Sequence, residues 1–217
     1  MRVYFISGMG ADRRIYKNIC LPAGFEPVFV DWITPVPKES LADYAVRLSE
    51  QIDRSEPFIL LGTSLGGIMA MEIAKRWPPV STILISSVPI SAHLPRYYAF
   101  ARSVGLVSLL PPSFFKATAT IKRRFTRESA EDKELIRQII RESDGPFIKW
   151  AMNAVLEWDN GEIPQPLWHI HGTRDEVFPV WLTRPTHRIR HAGHMLVMSH
   201  AREVNAILRK ILLHSPV

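Results

Sequence analysis

Short apolar runs alternate with longer helical patterns along this chain, and this alternation limits the possible folds more than any other feature. Six short runs are rich in β-branched and aromatic residues, and most are nearly continuous in apolar residues, as is typical of strands buried on both faces. These runs cover residues 3–7, 27–31, 58–61, 82–86, 167–171 and 187–189. The alternation predicts an α/β fold, a three-layer sandwich in which helices cover both faces of a six-stranded, mainly parallel sheet.

Three segments between or after these runs have apolar residues at helical spacing. The first helix is predicted over residues 40–54, where Leu41, Ala45 and Leu48 lie on one face. The second is predicted over residues 65–77 and ends at two consecutive prolines, which cannot continue a helix. The third covers residues 200–213.

A longer segment, residues 90–160, separates the fourth predicted strand from the fifth. Its roughly seventy residues exceed what a single crossover between parallel strands needs, and several prolines divide it into short pieces. Ser129 followed by Asp132 is typical of a helix start. We interpret the segment as a helical cap inserted into one domain that comprises residues 1–217.

The bulk composition is that of an ordinary globular protein, with 47% hydrophobic and 22% charged residues. No apolar run approaches the ~20 residues that span a bilayer, and Met1 leads into the first strand without a signal-peptide core. Cys20 is the only cysteine, which rules out an internal disulfide. A cytoplasmic protein without a membrane span is the expectation.

The chain carries a formal net charge of +6, and most of that charge lies in the predicted cap. Residues 93–150 hold eleven Lys and Arg against six Asp and Glu. No nucleic-acid-binding motif accompanies this charge, so we expect no nucleic acid partner and interpret it as a solvated helix face. The alternative is attraction of an acidic substrate or surface, in which Lys122, Arg123 and Arg124 could reach a carboxylate.

The strongest functional signal is the segment Gly62-Thr63-Ser64-Leu65-Gly66 between the third predicted strand and the second predicted helix. A serine held at such a turn exposes its hydroxyl at the top of the sheet, and the close chain approach requires small flanking residues. The start of a helix also favours developing negative charge. Ser64 is therefore the candidate nucleophile.

A nucleophilic serine needs a base, and the base needs an acid that orients it. His194 lies in the loop between the last strand and the last helix, and Asp175 follows the fifth strand, so both belong to the carboxyl edge of the sheet. The chain order Ser64, Asp175, His194 is the order in which the acid and the base follow a serine held at such a strand-to-helix turn. His191 is the rival base, and Asp159 or Asp31 would replace Asp175 if the strands were assigned wrongly.

Two backbone N–H groups should hold the negative oxygen that forms when the serine attacks a carbonyl group. The first candidate is the amide of Leu65, directly after the nucleophile. The second lies in the glycine-rich loop after the first strand, where Met9 is the best-placed donor.

Together these motifs resemble the α/β-hydrolase superfamily, in the branch of small single-domain bacterial esterases. The resemblance covers nearly the whole chain, because residues 5–10, 62–66, 171–179 and 193–194 occur in family order. It implies the strand order 2-1-3-4-5-6 and a cap that selects the substrate. One departure is Ser7-Gly8, where many members have His-Gly.

Other patterns carry less weight. Gly8-Met9-Gly10 could be a dinucleotide-binding turn, but Arg13 occupies the position of the third glycine. His169 and His171 alternate on a strand and could bind a metal, but no carboxylate-rich ligand set accompanies them, and structural histidines are favoured. Neither a cofactor nor a metal is expected.

The sequence thus predicts a serine hydrolase acting on a small carboxylic ester or related acyl substrate, as a monomer or homodimer. The alternatives are a C–C bond hydrolase, a thioesterase or a lyase with the same residues, or a ligand-binding protein without catalysis.

Overall fold

A six-stranded parallel sheet forms the centre of the protein in a computed structural model that describes residues 1–105, 107, 111 and 129–214. Its order is β2-β1-β3-β4-β5-β6, and all five pairings are parallel. The strands are β1 (Arg2–Ile6), β2 (Glu26–Val30), β3 (Phe58–Thr63), β4 (Ser81–Ile85), β5 (Leu167–Gly172) and β6 (His187–Ile189). The predicted fold class and strand order are confirmed, with strand ends displaced by one or two residues.

Seven α-helices lie in the described part of the chain: α1 (Leu41–Leu48), α2 (Leu65–Arg76), α3 (Arg96–Ser103), α4 (Ala130–Glu142), α5 (Gly145–Glu157), α6 (Leu196–Ser199) and α7 (Ala201–His214). Short 3₁₀ helices occur at Arg13–Tyr16, Ser49–Gln51, Ser91–His93 and Val180–Leu182. The predicted second and last helices correspond to α2 and α7.

The prediction that the first helix reaches residue 54 is wrong, because α1 ends at Leu48 and only a 3₁₀ turn continues it. Ser49 donates its hydroxyl to the carbonyl of Val46 at 2.6 Å, a local bond by which serine competes with regular helix. Ile52 is extended, at φ −99° and ψ 117°, yet its side chain remains buried. Its burial preserves the apolar spacing that predicted a longer helix.

Successive strand residues point to opposite faces of the sheet and build two cores. Tyr4, Leu60 and Leu84 pack on the face covered by α1, α2 and α5. Val3 and Ile83 pack on the other face, against α7 and the 3₁₀ helix at Arg13–Tyr16. Burial on both faces explains why the strands read as continuous apolar runs.

The segment between β4 and β5 contributes α3, α4 and α5. The predicted helix start at Ser129 is confirmed, since its hydroxyl accepts a hydrogen bond from the amide of Asp132 at 3.0 Å. Ion pairs join α4 to the segment after β1: Arg14 to Glu142 at 2.5 Å and Lys17 to Asp132 at 3.0 Å. The role of this segment as a cap stays a prediction.

Among the residues that the structure describes, no helix combines the length and apolarity that a bilayer span requires.

Candidate active site

The turn between β3 and α2 holds Ser64 in a backbone conformation that few side chains adopt. Its φ is 54° and its ψ is −119°, outside the regions that ordinary L-residues prefer. The amide of Ser64 donates to the carbonyl of Ile85 at 3.0 Å, and its own carbonyl accepts from Ser87 Oγ at 2.7 Å. The turn is therefore anchored to the end of β4, and the serine hydroxyl lies at the carboxyl edge of the sheet.

The two glycines that flank this serine are required by close backbone approach. A Cβ on Gly62 would lie 2.5 Å from the Cα of Gly67, and a Cβ on Gly66 would lie 2.5 Å from the carbonyl carbon of Ile6. Real Cβ atoms essentially never come within 3.0 Å of such atoms. The spacing of glycines around Ser64 thus has a steric cause, which agrees with the reasoning from sequence.

His194 lies within hydrogen-bonding distance of Ser64, although 130 residues separate them in the chain. Its Nε2 is 2.9 Å from Ser64 Oγ, and its Nδ1 lies 3.0 and 2.9 Å from the two carboxylate oxygens of Asp175. An ionised carboxylate only accepts, so Nδ1 carries the proton and Nε2 is left to accept from the serine hydroxyl. This is the geometry that a general base for Ser64 requires.

Asp175 is buried and accepts hydrogen bonds from several directions. Its Oδ1 accepts from the amides of Val177 and Phe178 at 2.8 and 2.9 Å. Burial alone would raise the pKa of Asp175, but attraction to protonated His194 and the hydrogen bonds from His194 and the Phe178 amide outweigh it, and the pKa lies below its ordinary value. The carboxylate is therefore ionised at neutral pH.

The rival residues lie elsewhere. His191 is exposed on the loop after β6, with φ 62° and its amide bonded to Thr173 Oγ1. Asp159 is exposed and lies 3.4 Å from the hydroxyl of Ser91, and Asp31 is exposed at the end of β2. It is Asp175 and His194 that the fold brings to Ser64.

The loop after β1 lies directly beside Ser64, since a Cβ on Gly8 would be 3.5 Å from Ser64 Cβ. Ser7, at the departure from the family pattern, is buried and donates its hydroxyl to the carbonyl of Ala11 at 2.6 Å. The indole Nε1 of Trp32 donates to the carbonyls of Gly8 and Ala11 at 3.2 and 3.1 Å. These bonds hold the loop that contains Met9.

An apolar pocket of about 520 Å³ opens above Ser64 and His194. Its walls come from the β1 loop and from α2, α3, α4 and α5, with Met9, Leu65, Tyr98, Ile136 and Met152 among the lining side chains. No Asp, Glu, Lys or Arg lines it among the residues that the structure describes. Lys122, Arg123 and Arg124, considered from sequence as carboxylate partners, lie outside the described residues.

His169 and His171 are buried side by side on β5, with Nε2 of His169 2.9 Å from Nδ1 of His171. Within the described ranges, no group of three or more His, Cys, Asp or Glu side chains could hold a metal ion. Nε2 of His171 lies 3.3 Å from Oδ2 of Asp175. The sequence reasoning missed this contact, although the four-residue spacing of His171 and Asp175 across a strand end could have suggested it.

Reasoning from sequence also missed Ser87 and Trp32, which support the turn and the β1 loop. Ser87 directly follows a predicted strand and so belongs to the same edge as Ser64. Trp32 gave no comparable signal, because an indole reaching a loop twenty residues earlier depends on three-dimensional packing alone.

The model of the alpha/beta hydrolase family matches residues 3–207, and no match was found among curated proteins. The fold is similar to that of an esterase from Thermogutta terrifontis, with 18% identity over 100% of this chain and 91% of the other and a TM-score of 0.76. MenH from S. aureus has a TM-score of 0.76, with 16% identity over 99% of this chain and 94% of its own.

A hydrolase from Pseudomonas aeruginosa PA01 is similar too, with a TM-score of 0.75 and 16% identity over 97% of this chain and 89% of that one. At these identities the solved structures establish the fold. The family match covers almost the whole chain, and the protein belongs to the alpha/beta hydrolase family.

Proposed function

We propose that the protein is a serine hydrolase that cleaves a small, uncharged carboxylic ester by way of an acyl-enzyme. The main support is the unbroken hydrogen-bonded path from Ser64 Oγ through His194 to the buried carboxylate of Asp175, at the floor of an apolar pocket. Nucleophile, base and orienting acid are the three parts that acyl transfer needs.

In the first half of the proposed reaction, Ser64 Oγ attacks the ester carbonyl carbon while its proton passes to Nε2 of His194. Asp175 stabilises the imidazolium that forms. The amides of Leu65 and Met9 are the proposed donors to the negative oxygen, and losing one such donor typically costs ~2.7–4 kcal/mol. His194 then returns the proton to the departing alcohol as the C–O bond breaks.

In the second half, a water molecule attacks the acyl group on Ser64, and His194 again takes the proton. The C–O bond to Ser64 breaks, Ser64 Oγ recovers its proton from His194, and the carboxylic acid leaves. The steps balance with one ester and one water molecule consumed and one alcohol and one carboxylic acid released.

The character of the pocket supports an uncharged, apolar substrate. Burying a charged group without a partner is strongly unfavourable, and none of the described lining residues is Asp, Glu, Lys or Arg. Burial also raises the pKa of Tyr98 above its usual value, which keeps this lining side chain an uncharged phenol. A volume of about 520 Å³ suits a substrate of modest size.

The helices of residues 90–160 are proposed to act as the cap that selects the substrate within a single hydrolase domain. Tyr97 from α3, Ile139 from α4 and Val155 from α5 all line the pocket. Side chains from α3, α4 and α5 therefore contribute to the wall of the pocket above Ser64.

Labelling with a fluorophosphonate probe tests the nucleophile. Wild type is expected to become labelled and Ser64→Ala to remain unlabelled, whereas the control Ser199→Ala, on α6, should label like wild type. Equal labelling of Ser64→Ala and wild type would overturn the proposal.

A panel of p-nitrophenyl esters of increasing acyl length tests the substrate class. We expect turnover to rise from acetate to medium chains as the apolar pocket fills, and a negatively charged acyl group to be a poor substrate. Absence of turnover above the Ser64→Ala background, for every ester, would favour a binding protein instead.

A further inference from the structure

Two histidines with no assigned role form a buried hydrogen-bonded pair directly behind Asp175. His169 and His171 occupy alternate positions of β5 and so share a face of the sheet. Nε2 of His169 lies 2.9 Å from Nδ1 of His171, and Nε2 of His171 lies 2.7 Å from the carbonyl oxygen of Phe178. Both rings are almost wholly buried, at 2% and 0% exposure.

The carbonyl of Phe178 determines which nitrogens of this pair carry protons. A carbonyl oxygen only accepts, so Nε2 of His171 must carry the hydrogen. Burial lowers the pKa of His171, and it lowers that of His169 to about 3, so both rings are neutral at pH 7. Nδ1 of His171 is then bare and accepts from the Nε2 hydrogen of His169.

At the other end of the pair, the ring of His169 also accepts a hydrogen bond. Nδ1 of His169 is bare and lies 3.4 Å from Oγ1 of Thr183, whose hydroxyl can donate to it. Hydrogen bonds therefore run from Thr183 through His169 to His171 and on to the carbonyl of Phe178.

The ring of His171 also lies close to the carboxylate of Asp175, although its Nε2 hydrogen is directed to the carbonyl of Phe178. Oδ2 of Asp175 lies 3.3 Å from this nitrogen. The other oxygen, Oδ1, already accepts from the amides of Val177 and Phe178, which leaves Oδ2 between His194 and His171. Of the described basic side chains, His194 and His171 are the two with a nitrogen within 4 Å of a carboxylate oxygen of Asp175.

We propose that His171 is a positioning residue: its neutral ring, oriented by His169, donates to the carbonyl of Phe178 and so fixes the turn whose amides hold the carboxylate of Asp175 against His194. This inference rests on the proposed function, because it assigns a role through the Ser64–His194–Asp175 path. His171 does not line the pocket, so its contribution acts on the chemical step and leaves substrate binding unchanged.

The kinetic test removes the donor without adding charge. His171→Phe should lower kcat for a p-nitrophenyl ester about tenfold, which corresponds to about 1.4 kcal/mol, with KM unchanged. The expected loss is modest because the hydrogen bond that is removed goes to a neutral carbonyl, that of Phe178. His171→Gln, whose amide can donate from a similar position, should recover most of the rate. The control His187→Phe makes the same exchange on β6 and should leave kcat unchanged.

A double-mutant cycle separates positioning from general support of the fold. If His171 acts through the carboxylate, His171→Phe should cause no further loss of kcat in a protein that already carries Asp175→Asn. The proposal would be overturned if the two single-variant losses of kcat multiplied in the double variant. It would also be overturned if His171→Phe raised KM by as large a factor as it lowered kcat.

Nitrogen NMR of the histidine rings in the wild-type protein tests the same idea without any variant. Both His169 and His171 should be neutral at pH 7 with the hydrogen on Nε2. A hydrogen on Nδ1 of His171, or a charged ring, would overturn the proposal even if His171→Phe failed to fold.

The two proposals can fail separately. A wild-type protein that resists the fluorophosphonate probe would refute the proposed function. A wild type that labels normally, together with a His171→Phe variant of unchanged kcat, would refute only the positioning role.

Discussion

Replacing Gly66 by alanine tests the steric origin of the nucleophile turn. The added Cβ would lie 2.5 Å from the carbonyl carbon of Ile6 and closer still to the carbonyl oxygens of Ile6 and Ser7. Since 3.0 Å is the practical lower limit, α2 and the end of β1 must separate by half an ångström or more. Both partners are backbone, and neither can rotate away as a side chain would.

Two opposing effects set the magnitude. Overpacking typically costs about 1–3 kcal/mol, and rigid backbone on both sides favours the upper end of this range. Alanine regains up to about 1 kcal/mol over glycine in a helix. We expect a net loss of about 2 kcal/mol, which for a chain of 217 residues lowers Tm by about 4–8 °C.

Catalysis should suffer more than stability. The carbonyls that must move begin the loop containing Met9, and a displacement of about 1 Å near reacting groups can cost ~100-fold in rate. We expect kcat for a p-nitrophenyl ester to fall at least about tenfold at a temperature where the variant is folded.

Thermal melts followed by circular dichroism, with ester hydrolysis on the same samples, provide the measurement. Gly161→Ala is the matched control, because a Cβ there meets nothing within 4 Å, and it should behave like wild type. If Gly66→Ala melted and turned over substrate like Gly161→Ala, the steric reasoning would be refuted.

Three further predictions concern the pocket, the core and the buried histidines. Met152→Trp narrows the pocket and should lower kcat/KM for medium-chain esters relative to acetate by about tenfold or more, since each excluded methylene is worth ~1–3 kcal/mol; an unchanged chain-length profile would contradict the proposed acyl site. Tyr16→Phe removes a buried hydroxyl 2.9 Å from the Ile6 carbonyl and 2.8 Å from Thr63 Oγ1, and should cost about 1–3 kcal/mol in urea unfolding; wild-type stability would count against it. His169 has a folded-state pKa of about 3, below its ordinary value of 6.5, so the unfolded chain binds the extra proton and stability falls as pH drops from 6.5 towards 3. His169→Phe should flatten that pH dependence, and an identical slope in both proteins would argue against a buried neutral ring.

Much of the fold could be predicted because strands buried on both faces appear in the sequence as continuous apolar runs. The run that became β3 has no polar residue between Phe58 and Leu61, and its neighbours follow the same pattern. Ser64, Asp175 and His194 could be named because each follows a strand, and parallel strands end at a common edge.

What could not be predicted depends on side-chain directions across the sheet. The bond from Trp32 to the β1 loop needs the path of the chain after β2, and periodicity carries no information about that path. The end of α1 at Leu48 was missed because a single serine hydroxyl competes with the helix while Ile52 keeps its place in the core. The lining of the pocket was equally hidden, since apolar residues of a cap and of a core look alike.

The shortness of β6 affects how the site is lost on heating. This strand has three residues, at the edge of the sheet, and pairs with β5 at His187, Arg188 and Ile189. Ser64 directly follows β3, an interior strand of the sheet, whereas His194 follows the edge strand β6 by a few residues. Edge elements open at lower free energy than central ones, and opening at β6 would carry the base away while the nucleophile turn stayed intact. On the proposed mechanism, we therefore expect hydrolysis to cease, and the amides around β6 to exchange with solvent, before the sheet as a whole unfolds.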